Sequence, residues 1–209
     1  MNTAASVRAR LLNASKKTGE AFQSLLVRYA VERFLYRLGK SSHQNSFVLK
    51  GAMLFVAWGG RPHRPTKDLD LLGFGDPGQA DVARRIAEIA AGTYEDGIEF
   101  DLGSIKTELI KEDAEYEGVR VHVSARLEQA RVPLRIDIGF GDAVTPEPVT
   151  IQFPTILERV EAPVLRIYPP EVVIAVKLHA MVVLDIRNSR MKDFYDLWYL
   201  ARTRSFELP

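Results

Sequence analysis

Two aspartates, Asp68 and Asp70, stand two residues apart in the run Asp68-Leu69-Asp70-Leu71-Leu72. Residues i and i+2 of a strand share a face, so both carboxylates project together while the leucines enter the core. Like charges at that range raise each other's pKa and cost stability unless a cation neutralises them. Mg²⁺, a hard cation that takes oxygen ligands, does so and leaves positions for phosphate oxygens and water. A third carboxylate, Asp137, sits in Arg135-Ile136-Asp137-Ile138, on a strand able to lie beside the first. Three such groups can hold two metal ions, one activating an attacking hydroxyl and one stabilising a leaving pyrophosphate. An isolated D-x-D pair is more often a solvated strand face. Here the flanking leucines and isoleucines embed the carboxylates in otherwise buried strands, where charge is expensive without a partner. The chemistry expected is transfer of a nucleoside monophosphate from a Mg²⁺-bound nucleoside triphosphate (NTP). Asp142, beyond Gly139 and Gly141, reads as a weaker candidate on a flexible loop.

Phosphate needs cationic or N–H partners. Lys50-Gly51 falls at a strand-to-helix turn, where backbone N–H groups and a helix N-terminus favour an anion and the lysine adds a point charge. Arg61, His63, Arg64 and Lys67 crowd the loop before Asp68 and read as a basic rim. Lys177 lies in an almost wholly apolar helix, so it is expected to be partly enclosed and aimed at a polar cavity or a carboxylate. Asp193 and Asp196 share one face of the last helix. His122 and His179 have no ligand spacing and read as structural. No P-loop or dinucleotide fingerprint is present.

The elements that must position these groups follow from periodicity. Thr3 to Leu38 repeats apolar residues at three and four positions, with stops at Gly19 and Gly39, and reads as helical. Phe47 to Leu49 is a short strand, Ala52 to Trp58 a short helix, Asp68 to Leu72 a strand, and Asp81 to Ala91 an amphipathic helix. Ile98 to Ile110, Val119 to Glu128 and Pro133 to Phe140 alternate as an antiparallel meander, with a turn at Tyr116-Glu117-Gly118. A proline-punctuated irregular connection leads to helices over Pro170 to about Ile186 and from Lys192 onward. The expectation is an α+β chain with a mixed central sheet and helices at both ends, divided as a helical segment over 1–45, a core over 46–160 and a helical segment over 161–209. The chain ends on Phe206-Glu207-Leu208-Pro209, and truncation of a longer protein is as good a reading as a natural terminus.

Composition narrows the setting. With 46% apolar residues, 26% charged and a net charge of +1, the 209-residue chain is expected to be a soluble globular protein, and bulk charge does not select a nucleic-acid partner. No cysteine is present, which removes disulfides, zinc thiolates and cysteine nucleophiles and fits a cytoplasmic setting. Neither a secretory signal nor a membrane segment is expected.

Taken together, the motifs resemble the AbiEii/AbiGii nucleotidyltransferase family of toxins from toxin–antitoxin and abortive-infection systems. The resemblance runs over about residues 20 to 202 and rests on Lys50-Gly51-Ala52, Thr66-Lys67-Asp68-Leu69-Asp70, Asp137, Lys177 and Lys192-Asp193-Phe194-Tyr195-Asp196. It implies a polymerase-beta-like nucleotidyltransferase fold, Mg²⁺ dependence, an antitoxin partner and a tRNA 3′ end as acceptor. It also implies roles: Asp68 and Asp70 as metal ligands, Asp137 as third ligand or base, Lys50 and Lys177 on triphosphate, and Asp193 or Asp196 orienting Lys177. Thr66 matches a hydroxyl that some relatives have phosphorylated by the antitoxin. Ala52 departs from the family's glycine or serine. The alternatives are a transferase acting on a small molecule such as an antibiotic, and a binding module that keeps the fold without the chemistry.

Overall fold

A computed structural model describes residues 3–60, 66, 68–113, 116–185, 189–204 and 206. Two N-terminal helices come first, α1 (Thr3–Thr18) and α2 (Phe22–Lys40). The next elements are β1 (Phe47–Lys50), α3 (Met53–Gly59), β2 (Asp68–Gly73) and α4 (Gln79–Ala90). Then come β3 (Ile98–Asp113), β4 (Tyr116–Leu127), β5 (Ala130–Phe140), β6 (Val149–Gln152) and β7 (Val164–Ile167). Helices α5 (Pro170–Leu184) and α6 (Met191–Thr203) close the order.

The seven strands form one mixed sheet in the order β3-β4-β5-β2-β1-β7-β6. The β3-β4-β5 meander is antiparallel, as alternation predicts. Its last strand then runs parallel to β2, which pairs antiparallel with β1. Leu69, Leu71, Ile136, Ile138, Val119 and Val121 are all within 1% of complete burial and belong to one apolar core shared with α2 and α4. By strand alternation, Asp68, Asp70, Arg135, Asp137 and Arg120 therefore line the opposite face.

Helix α2 is buried along most of its length and packs on α1, α4, β5 and β7. Its buried charged residues form ion pairs: Arg37 makes a two-pronged contact with Asp96, and Arg33 pairs with Glu32, whose other oxygen accepts the Ile156 N–H.

Three expectations change. The proline-rich connection contains β6 and β7, too short to show alternation, and β7 pairs in parallel with β1 through Leu49 and Ile167. Tyr116 already belongs to β4 as the partner of Asp113, so Tyr116-Glu117-Gly118 is strand rather than turn. Helix α5 is not enclosed: Val172, Val173 and Ala180 are buried, while Val176, Leu178, Val182 and Val183 are exposed.

Candidate active site

Parallel pairing of β2 with β5 makes Asp70 and Asp137 direct register partners, one step from the Asp68 and Arg135 pair on the same face. The row extends both ways. Lys50 of β1 is opposite Asp70, Arg120 of β4 is opposite Asp137, and Glu108 of β3 is opposite Arg120. Five strands thus present Lys50, Asp70, Asp137, Arg120 and Glu108 side by side.

The carboxylates are not equivalent. Asp137 is buried and takes a bidentate contact from Arg120, with Nε to Oδ1 and Nη2 to Oδ2 both at 2.8 Å. Asp68 takes a similar contact from Arg135, with Nε to Oδ1 at 2.6 Å and Nη2 on Oδ2. The hydrogen bonds to Asp137 and Asp68, ahead of the opposing desolvation, push both guanidinium pKa values up, so the arginines stay charged. Asp70 lies against Gly51, where a Cβ would come within 2.6 Å of the Asp70 Cγ. That glycine has φ +72°, a conformation that L side chains rarely adopt. The close approach and the turn both require glycine.

Lys50 ends β1 and Gly51 begins the turn into α3, but α3 is only seven residues long, so its dipole is short. The Lys50 Nζ reaches the Asp142 Oδ2 at 3.4 Å, and the Tyr168 hydroxyl donates to the same oxygen at 2.7 Å. Asp142 is therefore a fixed group beside the lysine, where its glycine neighbours predicted a mobile loop residue. Thr66 donates to the backbone oxygen of Asp68 at 3.2 Å. Arg61, His63, Arg64 and Lys67 lie outside the described residues.

A second ionic centre joins α5 to α6. Lys177 Nζ is 2.6 Å from Asp193 Oδ1 and 2.8 Å from Asp196 Oδ2, and Arg190 Nε is 2.6 Å from the other Asp193 oxygen. Both aspartates are almost completely buried. Aromatic contact of Phe55 in α3 with Tyr199 in α6 ties the last helix to the element that follows the Lys50-Gly51 turn.

The donor set suits a hard divalent cation, since three carboxylates on one sheet face offer oxygen only. Among the described residues, no group of three or more acidic or histidine side chains is drawn together closely enough to hold an ion. Arg120 and Arg135 engage the oxygens that such an ion would use on Asp137 and Asp68. Sequence reasoning missed both arginines as well as Tyr168. Arg135 was readable as the i−2 neighbour of Asp137 on an alternating strand, whereas Arg120 needed the β4–β5 register.

A family model described as Nucleotidyl transferase AbiEii toxin, Type IV TA system, matches residues 33–209. Among solved structures, JHP933 from Helicobacter pylori superposes with a TM-score of 0.57 at 19% identity, covering 88% of this chain and 68% of that one. A second H. pylori structure, described as a candidate nucleotidyltransferase, gives 0.55 at 19% identity, covering 88% and 70%. ANT(2″)-Ia in complex with adenylyl-2″-tobramycin gives 0.42 at 15% identity, covering 88% and 89%, a likeness too distant to bear on function. A search of curated proteins finds no match. The first two likenesses concern the fold, an α+β nucleotidyltransferase architecture around a mixed sheet. Among the described residues no helix is long and apolar enough to cross a membrane.

Proposed function

The chain belongs to the AbiEii nucleotidyl transferase toxin family of type IV toxin–antitoxin systems, and we propose that its reaction is Mg²⁺-dependent transfer of a nucleoside monophosphate from an NTP to an RNA 3′ end, in the first instance that of tRNA. The observation that carries this reading is the β2–β5 register, which sets Asp70 beside Asp137 on one face with Asp68 next to them. In it, Asp68, Asp70 and Asp137 would hold the metal ions, which would supply Lewis-acid activation of the attacking hydroxyl and charge stabilisation for the departing pyrophosphate. Lys50 and the Gly51 turn bind triphosphate from the β1 side. Lys177 contributes a second cation to the triphosphate, with Asp193 and Asp196 holding its ammonium in place. Asp142 and Tyr168 restrict where the Lys50 ammonium can go.

The toxin reading follows from the same chemistry, because a tRNA whose 3′ end carries extra nucleotides cannot be aminoacylated. A cognate antitoxin would silence it, and Thr66, held on the backbone oxygen of Asp68, is the hydroxyl whose phosphorylation would place an anion beside the carboxylates.

The test is incubation with each labelled NTP, Mg²⁺ and total tRNA. Label at the RNA 3′ end is expected. Asp70→Ala and Asp137→Asn should lower the rate by about 100-fold or more, the scale for losing one preorganised electrostatic group. No transfer to any RNA, or variants as active as the parent, would reject the reading.

A further inference from the structure

We propose that Arg120 and Arg135 bind the phosphates of the acceptor strand, and that Asp137 and Asp68 hold them in store until a divalent cation takes over the carboxylates. This rests on the transferase reading above.

The starting point is that each guanidinium uses both oxygens of its carboxylate. A divalent cation requires oxygens of the same two groups, so guanidinium and cation compete for them. A cation held by these carboxylates would neutralise them and leave two fork-shaped donors, Arg120 and Arg135, free for phosphate oxygens. Neither arginine is sealed in the core: the side chain of Arg135 keeps 41% of its exposure and that of Arg120 keeps 26%. They can change partner without unfolding a strand.

Position decides which phosphates they take. Lys50 flanks Asp70 from β1, while Arg120 flanks Asp137 from the opposite side of the row. If the triphosphate enters on the Lys50 side, the arginine side is left for the acceptor. The same sheet face continues away from the carboxylates with His122 beside Arg135, Lys106 beside His122, and Arg126 beside Arg131. Lys106 and Arg131 are exposed, and neither has an ion-pair partner among the described residues. His122 faces Glu108 and Arg126 is paired with Glu99, so Lys106 and Arg131 are the cations left on this stretch of the face for a single nucleic-acid strand, whose backbone repeats phosphates along one direction.

The experiment compares the parent with Arg120→Gln, Arg135→Gln and the double variant, with Arg120→Lys and Arg135→Lys retaining charge. Mn²⁺ binding is read by electron paramagnetic resonance without nucleotide. Salt-dependent binding of a fluorescent single-stranded RNA is read with Mn²⁺ present, and KM for the NTP is measured separately. The glutamine variants should bind Mn²⁺ several-fold more tightly, because a competitor is gone. Each should bind RNA more weakly, with a salt slope smaller by about 0.7, while KM for the NTP stays within twofold. The lysine variants should recover the slope. Weaker Mn²⁺ binding would mean that the arginines merely position the aspartates, and an unchanged RNA slope would remove the acceptor role. A rise in KM for the NTP alone would move both arginines to the donor side. Each of these overturns the proposal while the transferase reading stands. A parent protein that neither binds Mn²⁺ nor transfers nucleotide overturns both.

Discussion

The carboxylate of Asp70 rests on the backbone of Gly51, so close that a Cβ at position 51 would meet the Asp70 Cβ at 2.7 Å and its Cγ at 2.6 Å. The β1–α3 turn and the β2 carboxylate are thus one mechanical unit, and the glycine at the turn fixes where the carboxylate sits.

Gly51→Ala tests this coupling. The positive φ costs roughly 1–2 kcal/mol in a residue with a Cβ, and the clash must push Asp70 aside. Nucleotide transfer should fall by about 100-fold, while urea unfolding shows only that modest loss. Activity within threefold of the parent would show that the carboxylate tolerates displacement.

Lys177 should matter to folding as well as to chemistry. Lys177→Met removes a cation shared by two almost fully buried aspartates, and an uncompensated buried charge costs about 3–5 kcal/mol. Adding Asp196→Asn should restore part of that loss. If the loss in the double variant equals the sum of the losses in Lys177→Met and Asp196→Asn measured singly, the two groups are not coupled.

Tyr168→Phe removes the hydroxyl that donates to Asp142 at 2.7 Å. The stability cost should be about 1 kcal/mol. The expected catalytic signature is a several-fold rise in KM for the NTP with kcat little changed, because Asp142 then no longer holds the Lys50 ammonium in register. A fall in kcat at constant KM would place Tyr168 in a different role.

Glu161 gives a pH test remote from the site. Its carboxylate accepts the Lys40 ammonium and the Tyr36 hydroxyl, and these hydrogen bonds, the Lys40 one first, hold its pKa below the ordinary carboxylate value of 4.5. A depressed folded pKa contributes stability above the unfolded value, and that contribution is lost as pH falls through the folded value. Glu161→Gln should therefore lower the thermal midpoint slightly at pH 7, and the gap to the parent should close as pH falls below the ordinary carboxylate value of 4.5 and through the lowered folded value. A gap that is constant with pH would assign the effect to packing.

Much of the scaffold was legible because its signals are local. Alternation in 98–110, 119–128 and 133–140 specified the meander, and three- and four-residue spacing specified α2. The Asp68 and Asp70 pair needed only the two-residue period of a strand. β6 and β7 escaped because four residues flanked by prolines carry no usable period, and their pairing is long-range. Asp142 escaped for a similar reason: the glycines that precede it, Gly139 and Gly141, describe the backbone's freedom, not the tyrosine and lysine that arrive from β7's end and β1 to hold the side chain.

By itself, then, the sequence determined which residues are acidic on apolar strands, that Lys50-Gly51 falls at a strand-to-helix turn, and that the chain is built as an α+β nucleotidyltransferase of the AbiEii type. Only the tertiary structure decided that Asp70 faces Asp137, that Arg120 and Arg135 occupy the carboxylates, and that Lys177 is shared between Asp193 and Asp196. The physical reason is that a strand's own period sets which face a side chain takes, while its neighbour across the sheet depends on strand order and register. Those are settled by burial of the whole apolar face, with a one-residue slip sending every charge to the wrong side.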